Sequence, residues 1–175
     1  MIPGLTIRGF TPPLPLDRFG LVAFDMDTTL INIECIDELA DAAGRKAEVA
    51  AITEAAMRGE VSDFKESLRR RLALLEGVPA SALDEVYENR LRLNPGAEKL
   101  VAALHDAGLK SLLVSGGFTF FAERVQQRLG IHYMRSNVLE IVDGRLTGRV
   151  IDQPWGDICD DTETKKMLLE TCARL

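Results

Sequence analysis

Cysteine is scarce in this sequence, and its three copies, Cys35, Cys159 and Cys172, form no Cys-x-x-Cys pair. This pattern argues against a disulfide framework or a structural zinc site and favours a reducing compartment. Residues 1–20 contain several prolines where a secretory signal would have a continuous apolar segment. We therefore expect a cytoplasmic protein.

Basic residues are also in deficit. Lys and Arg number 21 against 27 Asp and Glu, which gives a formal net charge of -6. Nonspecific binding of nucleic acid needs an excess of cations to neutralise phosphates, so the sequence predicts no nucleic-acid partner. A small anionic ligand would need a local cationic pocket, because the net field of the protein would not attract it.

Long apolar runs are absent as well. No run approaches the roughly 20 residues that a membrane-spanning helix needs, so we expect no membrane partner. With 46% hydrophobic and 27% charged residues, the composition is that of a globular protein. The length allows one ordinary domain, or a core domain with a small insertion.

Two short apolar runs predict strands of a parallel sheet. Residues 20–24 lead into Asp25, and residues 109–114 lead into a Ser-Gly-Gly turn that begins at Ser115. The continuous apolar character of the first run is typical of a strand buried on both faces. Each run precedes a polar turn and a helix-like segment, which indicates an α/β fold. Ligands of such folds bind at the carboxyl ends of strands.

Between these two strands, apolar residues recur at helical spacing and glycines end each such segment, which predicts a series of helices. Ser62 is the predicted N-cap of one of them. We predict that residues 33–93 form a helical cap over the site that the first strand carries. Residues 1–32 and 94–175 would form the α/β core. Within the core, Asp143-Gly144 predicts a β-hairpin.

Asp25 and Asp27 place two carboxylates two positions apart just beyond the first strand. A lone Asp-x-Asp is most often only an acidic loop. At the end of a buried strand, however, two close carboxylates repel one another unless a proton or a cation offsets one of them. The arrangement suits a divalent cation such as Mg²⁺, with one Asp attacking a phosphorus atom and the other moving protons.

The string from Phe24 to Glu38, FDMDTTLINIECIDE, resembles the phosphoserine phosphatase family of the haloacid dehalogenase superfamily, and contains that superfamily's Asp-x-Asp-x-Thr motif. The similarity extends from about Leu21 to the end of the chain. It implies a Rossmann-like core with a parallel sheet and an inserted helical cap of the C1 type. It also implies hydrolysis of O-phospho-L-serine to L-serine and phosphate, in serine biosynthesis. Another small phosphate ester, or phosphoryl transfer to another alcohol, is the alternative.

The resemblance assigns roles to the acidic residues of this string. Asp25 would be the nucleophile that forms an aspartyl-phosphate, and also a ligand of Mg²⁺. Asp27 would be the general acid and base, and its backbone carbonyl would bind the metal. A Glu that binds the substrate amine in the family maps to Glu34, for which an acid at a helix start is the alternative role.

The family's second motif is a Ser or Thr at a strand end, and VSGGF around Ser115 resembles it. Ser115 and Gly116 would contact the phosphate, because a hydroxyl and the N–H groups of a glycine turn can approach an oxyanion closely. An ordinary strand-to-helix turn is the alternative.

The resemblance also points to residues of the predicted cap. A substrate-binding Arg of the family maps to Arg71, whose guanidinium could grip a carboxylate or phosphate with two hydrogen bonds. Three consecutive arginines, residues 69–71, point about 100° apart around a helix, so they cannot all face one site. Met57 and Phe64 match apolar cap positions that shield the substrate.

The family's third motif is a Lys that offsets the charge on the nucleophile and the phosphoryl group. It maps to Lys165 rather than Lys166, because the apolar residues that follow the lysine then align with those of the family. For either lysine, a charge on the helix surface is the alternative role. The fourth motif, a Gly-Asp-Gly-x-x-Asp-like turn, does not occur after Lys165, so we expect at least one core strand to be missing beyond Leu175. An alternative of another class is an inactive truncated fragment or a phosphate-binding module.

Overall fold

The computed structural model of the protein describes residues 15–58 and 63–175, apart from the side chains of Ala56 and Met57. Our expectations for residues 1–14, for the cap at Ser62 and for the Met57 side chain lie outside this part of the chain. The helix expected after Ser62 begins at Phe64, and the Asp63 carboxylate caps it by accepting a hydrogen bond from the Lys65 N–H.

A four-stranded sheet forms the centre of the fold, in the order β1-β2-β3-β4. Strands β1 and β2, and strands β2 and β3, are parallel, whereas β3 and β4 are antiparallel. The α/β prediction is therefore confirmed. The strands are β1 (Leu21–Phe24), β2 (Lys110–Phe118), β3 (Tyr133–Val142) and β4 (Arg145–Ile151).

Seven α-helices lie within the described residues, five of them between β1 and β2. None of these helices has both the length and the apolar character needed to cross a bilayer. The helices are α1 (Cys35–Ala42), α2 (Lys46–Met57), α3 (Phe64–Ala73), α4 (Ser81–Asn89), α5 (Ala97–Asp106), α6 (Thr119–Leu129) and α7 (Asp161–Cys172).

The hairpin predicted at Asp143-Gly144 joins β3 to β4. Asp143 and Gly144 have φ values of 50° and 71°, and the flanking residues Val142 and Arg145 pair across the turn. Two consecutive positive φ angles are the geometry of a type I′ turn, whose twist matches that of the strands. The hairpin prediction is confirmed.

Strand β1 is less buried than its apolar sequence suggested. Leu21, Val22 and Phe24 are half-buried and Ala23 is exposed, so the expectation of a strand buried on both faces is wrong. Within the described residues β1 pairs only with β2, and it lies at the edge of the sheet. An edge strand has a neighbour on one side only, which the apolar sequence of the strand does not reveal.

Strand β2 does not end in the tight turn that we expected after Val114. It continues to Phe118, but its pairing with β3 is irregular: Val114 pairs with Arg135 and Phe118 with Asn137, so β2 advances four residues while β3 advances two. Residues 115–117 therefore bulge out of the ladder. A bulge re-aims the local backbone, and here it projects the Ser-Gly-Gly segment beyond the sheet.

The chain leaves β1 and returns towards α5 along two adjacent connections. Ile31 forms an isolated antiparallel bridge with Leu93, and the Asn94 side chain donates hydrogen bonds to the carbonyls of Thr29 and Ile31 at 2.9 and 3.0 Å. Helices α1 to α4 lie between these connections. The division into a core and a cap at residues 33 and 93 stays a prediction.

One hydrophobic cluster joins these helices to the sheet. Its fully buried side chains come from the turn after β1, from helices α1, α3 and α6 and from β2, and include Met26, Leu39, Leu72, Leu113 and Phe121. Burial of apolar surface is the main driving force that holds such layers together. The helices between β1 and β2 are therefore packed against the rest of the protein through a shared core.

Candidate active site

A cavity of about 630 Å³ lies at the carboxyl ends of β1 and β2. Its walls come from the residues after β1, the bulge of β2, the start of α1, the inner side of α3 and the segment that enters α7. Seven of the residues predicted from the sequence line it: Asp25, Asp27, Glu34, Phe64, Arg71, Ser115 and Gly116.

The turn after β1 positions Asp27. The N–H groups of Leu30 and Ile31 donate to the Met26 carbonyl at 2.9 and 3.1 Å, and Thr28 takes a positive φ of 54° to close the turn. The Asp27 carboxylate accepts hydrogen bonds from the Cys35 N–H at 2.9 Å and the Cys35 Sγ at 3.4 Å. Asp27 therefore lies at the N-terminus of α1, where the helix dipole favours an anion.

The two aspartates differ in their surroundings. Burial raises the pKa of Asp27 to about 6, against the hydrogen bonds from Cys35, and the charge of Asp25 raises it further. Burial also raises the pKa of Asp25, opposed by hydrogen bonds from the Met26 backbone and the Thr29 side chain. Asp27 is thus the carboxyl group suited to carry a proton near neutral pH.

Glu34 has the more strongly raised pKa of the two acids in the cavity, Asp27 and Glu34, for which the pKa is raised to about 6 or higher. Burial raises its pKa to about 7, the charges of Asp27 and Asp37 raise it further, and Arg71 opposes them. Arg71 is the one basic residue among the described residues that line the cavity, against five acidic ones. The cavity is therefore short of positive charge, which a cationic ligand group would supply.

The three consecutive arginines of α3 separate as the helix geometry requires. Arg69 pairs with Asp157, Arg70 pairs with Glu66 on the exposed face, and Arg71 alone of the three lines the cavity. The Nε of Arg71 is buried and has no hydrogen-bond partner among the residues that the structure describes. A buried unpaired donor is costly, so this position favours an acceptor brought by a ligand.

Glycines let the bulge of β2 approach the aspartates. The buried Ser115 Oγ accepts a hydrogen bond from the Gly117 N–H at 3.0 Å. A Cβ at Gly117 would lie 3.1 Å from Ser115 Oγ and 3.4 Å from Asp27 Oδ1, and a Cβ at Gly116 would lie 2.8 Å from the ring of Phe64. Side chains at these two positions would fill the space between the bulge, Asp27 and α3.

Asn137 is a site residue that our sequence reasoning missed. Its side chain is 1% exposed. Its Nδ2 donates to the carbonyls of Gly116 and Gly117 at 2.8 and 3.2 Å, and its Oδ1 accepts from the Cys159 N–H at 2.7 Å. Asn137 therefore fastens the bulge of β2 to the segment that enters α7. A lone amide directly before the first strand of the predicted hairpin was the available signal.

The structure does not bring Lys165 into the cavity. Its side chain is exposed, whereas Asp161 and Thr164 of the same helix line the cavity wall. Lys165 lies one helical turn after Asp161, but it is not among the residues that line the cavity. Lys166 pairs with Glu163. The assignment of the catalytic lysine to Lys165 stays a prediction.

The donor atoms of the site suit a hard divalent cation. No group of three or more His, Cys, Asp or Glu side chains within residues 15–58 and 63–175 is arranged to hold a metal ion. Asp25 and Asp27 nevertheless supply oxygen ligands at one edge of the cavity, and Mg²⁺ commonly binds one or two carboxylates together with water and substrate phosphate. Both carboxylate oxygens of Asp27 contact Cys35, which favours its backbone carbonyl as the ligand.

Comparison with known proteins identifies relatives of the chain. Residues 22–168 match the model of the haloacid dehalogenase-like hydrolase family. A phosphoserine phosphatase from Polaromonas sp. strain JS666 is 70% identical over 173 residues, which are 99% of this chain and 73% of that protein.

Two solved structures share the fold. One is a haloacid dehalogenase family hydrolase from Salmonella enterica serovar Typhi, with a TM-score of 0.81 and 35% identity over 94% of this chain and 54% of that one. The other is a phospho-aspartyl intermediate analogue of phosphoserine phosphatase, with a TM-score of 0.70 and 39% identity over 75% of this chain and 62% of that one. The chain thus spans less than two thirds of the length of these two proteins.

The Asn137 contacts predict a measurable loss on substitution. Asn137→Ala should lower the free energy of unfolding by about 1–3 kcal/mol, because the buried Cys159 N–H loses its acceptor. Urea unfolding measures the loss, and amide hydrogen exchange should become faster at Cys159. Asn89→Ala, which removes an exposed amide at the end of α4, is the matched control, with Cys159 still protected. A protected Cys159 amide in Asn137→Ala would contradict this assignment.

The raised pKa of Glu34 predicts a pH-dependent stability. Because the pKa is raised from 4.5 to about 7, the folded state binds the proton more tightly than the unfolded chain does. This contribution is complete below pH 4.5 and is lost as the pH rises through 7. The Gln side chain of Glu34→Gln cannot ionise, so this variant does not lose stability as the pH rises. Measured without divalent cations, its free energy of unfolding minus that of the wild type should therefore be larger at pH 8 than at pH 5.

Urea unfolding midpoints at the two pH values provide the measurement for Glu34→Gln. The control is Glu48→Gln, an exposed acid on α2 outside the cavity, whose difference from the wild type should be the same at both pH values. If Glu34→Gln differed from the wild type by the same amount at both pH values, the folded protein would not oppose the ionisation of Glu34.

Proposed function

Because the chain belongs to the phosphoserine phosphatase family of the haloacid dehalogenase-like hydrolases, we propose that it hydrolyses O-phospho-L-serine to L-serine and phosphate. The observation that carries the proposal is the convergence of three chemical groups on one cavity: the carboxylates of Asp25 and Asp27, the bulge at Ser115, and the charged pair Glu34 and Arg71. The reaction would serve serine biosynthesis in the cytoplasm.

Asp25 is the nucleophile in this proposal. Its carboxylate attacks the phosphorus atom, the bond from phosphorus to the serine oxygen breaks, and an aspartyl-phosphate forms on Asp25. Its place at the end of β1, on the edge of the cavity, supports this role. The related structure of a phospho-aspartyl intermediate analogue of phosphoserine phosphatase supports the same chemistry.

Asp27 transfers the protons of both steps. With its pKa raised to about 6, its protonated form donates to the departing serine oxygen. The resulting carboxylate then takes a proton from water as the water oxygen attacks the phosphorus of the aspartyl-phosphate, which releases phosphate and restores Asp25. The contacts from Cys35 hold the Asp27 carboxylate in one orientation through both steps.

Ser115 and Gly116 hold the phosphate oxygens. The Ser115 hydroxyl is buried in the bulge and can donate to an oxyanion, and the backbone of Gly116 can approach closely because it has no Cβ. Lys165, which follows Thr164 of the cavity wall, stays our proposal for the lysine that offsets phosphoryl charge.

Mg²⁺ would be held by the Asp25 carboxylate and the Asp27 backbone carbonyl. When bound there, it offsets the charge that otherwise repels an anionic nucleophile from an anionic phosphate. Burial raises the pKa values of Asp25 and Asp27, and a cation at this edge would favour the ionised form of Asp25 that the attack requires.

Glu34 and Arg71 recognise the amino-acid end of the substrate. The ammonium group would lie against Glu34, whose charge the cavity leaves under-compensated, and the carboxylate would accept from Arg71, whose Nε is buried without a partner among the described residues. Phe64 and Leu68 of α3 line the same cavity and exclude water from it. Residues 33–93 act as the cap in this proposal.

The nucleophile is tested by Asp25→Asn. Its phosphate release from O-phospho-L-serine in the presence of Mg²⁺ should fall by about 10³-fold or more relative to the wild type, because an amide cannot form the acyl phosphate. The matched control is Asp152→Asn, an exposed acid that does not line the cavity, and EDTA should abolish wild-type release. Turnover by Asp25→Asn would overturn the assignment, and phosphate binding without turnover by the wild type would indicate a binding module.

The substrate is tested by Glu34→Ala. Loss of a charged partner of the ammonium group should lower kcat/KM for O-phospho-L-serine by about 10- to 150-fold. The kcat/KM for p-nitrophenyl phosphate, which has no ammonium group, should change by less than about threefold. Glu48→Ala on α2 is the control for both substrates. Equal losses on the two substrates would remove phosphoserine as the substrate.

A further inference from the structure

Asp157 joins α3 to the opposite wall of the cavity. It lies between β4 and α7, and its two carboxylate oxygens bind different cations: Oδ1 lies 2.6 Å from Lys65 Nζ, and Oδ2 lies 2.5 Å from Arg69 Nη2. Lys65 also lies 3.8 Å from Asp160. Neither the residues of the resemblance nor the proposed reaction assigns a role to Asp157.

Helix geometry relates this contact to the substrate. Lys65 and Arg69 are four residues apart and share a face of α3. Phe64, Leu68 and Arg71, which come from the same helix, line the cavity. Any movement of the face that carries Lys65 and Arg69 therefore also moves the residues that contact the substrate.

The segment that carries Asp157 is itself held in place. Gln153 and Gly156 exchange backbone hydrogen bonds of 2.8 and 2.9 Å, and the Cys159 N–H donates to Asn137 at 2.7 Å. The guanidinium of Arg135 lies 5.2 Å from the ring centroid of Trp155. Asp157 is thus presented on an ordered support, and α3 is the element that its carboxylate restrains.

We propose that Asp157 is a positioning residue that docks α3 over the active-site cavity through Lys65 and Arg69, and thereby places Arg71 and Phe64 for substrate binding. This inference rests on the proposed function for its substrate. The pKa of Asp157 is lowered and that of Lys65 is raised by their mutual hydrogen bond, in agreement with a formed ion pair.

The contact affects position rather than folding. The side chains of Lys65, Asp157 and Arg69 are 27%, 36% and 50% exposed, and ion pairs with such exposure contribute little to the stability of a fold. The buried Leu68 and Leu72 keep α3 attached to the core whether or not the ion pairs form. Loss of the ion pairs should therefore weaken substrate binding several-fold without unfolding the protein.

The test compares Asp157→Asn with the conservative Asp157→Glu and with Asp152→Asn, an acid outside the cavity. Asp157→Asn should raise KM for O-phospho-L-serine about three- to tenfold with kcat within about twofold, whereas Asp157→Glu and Asp152→Asn should behave as the wild type. KM for p-nitrophenyl phosphate, which does not use Arg71, should not change in any variant.

Salt provides a second readout on the same protein. At 1 M NaCl the Debye length falls to about 3 Å, so the wild-type KM should rise towards that of Asp157→Asn, and the KM of Asp157→Asn should change much less. Amide hydrogen exchange along α3 should be faster in Asp157→Asn than in Asp157→Glu, with the core strands unaffected.

Three results would overturn the role of Asp157: an unchanged KM, equal losses on the two substrates, or unchanged exchange along α3. The exchange experiment needs no turnover. If the wild type released no phosphate from phosphoserine, the proposed function would fail, while the exchange of α3 would still decide whether Asp157 docks the helix.

Discussion

Negative charge is crowded at the carboxyl ends of β1 and β2, and the features of the cavity follow from it. Five acidic residues and one arginine line the cavity within the described part of the chain. Burial raises the pKa values of Asp27 and Glu34 to about 6 and about 7, and the neighbouring carboxylates raise them further. Such a site favours cationic ligand groups, and the proposed substrate and metal bring two: the ammonium of phosphoserine and Mg²⁺.

Backbone N–H groups at helix N-termini stabilise two of these crowded carboxylates. The Asp27 carboxylate accepts the first N–H of α1 through Cys35, and the Asp160 carboxylate accepts the N–H groups of Thr162 and Glu163 at the start of α7. In both places orphan backbone donors and the helix dipole stabilise an anion that would otherwise be desolvated without a partner. Helix ends, rather than basic side chains, therefore supply much of the compensation at the cavity wall.

Two polar contacts join the elements that form the walls of the cavity. Asn137 fastens the bulge of β2 to the segment before α7, and Asp157 fastens the same segment to α3. The first contact is buried and rigid, whereas the second is partly exposed and can respond to salt. In the proposed function, the first contact supports the residues that hold the phosphate, and the second supports the helix that binds the amino-acid end of the substrate.

The sequence by itself determined the α/β fold, the hairpin at Asp143-Gly144 and the acidic string after the first strand, because local signals carry these features: apolar runs, turn residues and the spacing of Asp25, Asp27 and Glu34. The period of a helix also predicted that the three consecutive arginines could not all face one site, and the family resemblance selected Arg71 among them. Only the tertiary structure decided the bulge at Ser115, the contacts of Asn137 and Asp157, and the exposure of Lys165 outside the cavity lining. Each of these depends on residues far apart in the chain, and a periodic pattern contains no information about which distant segment a side chain will meet.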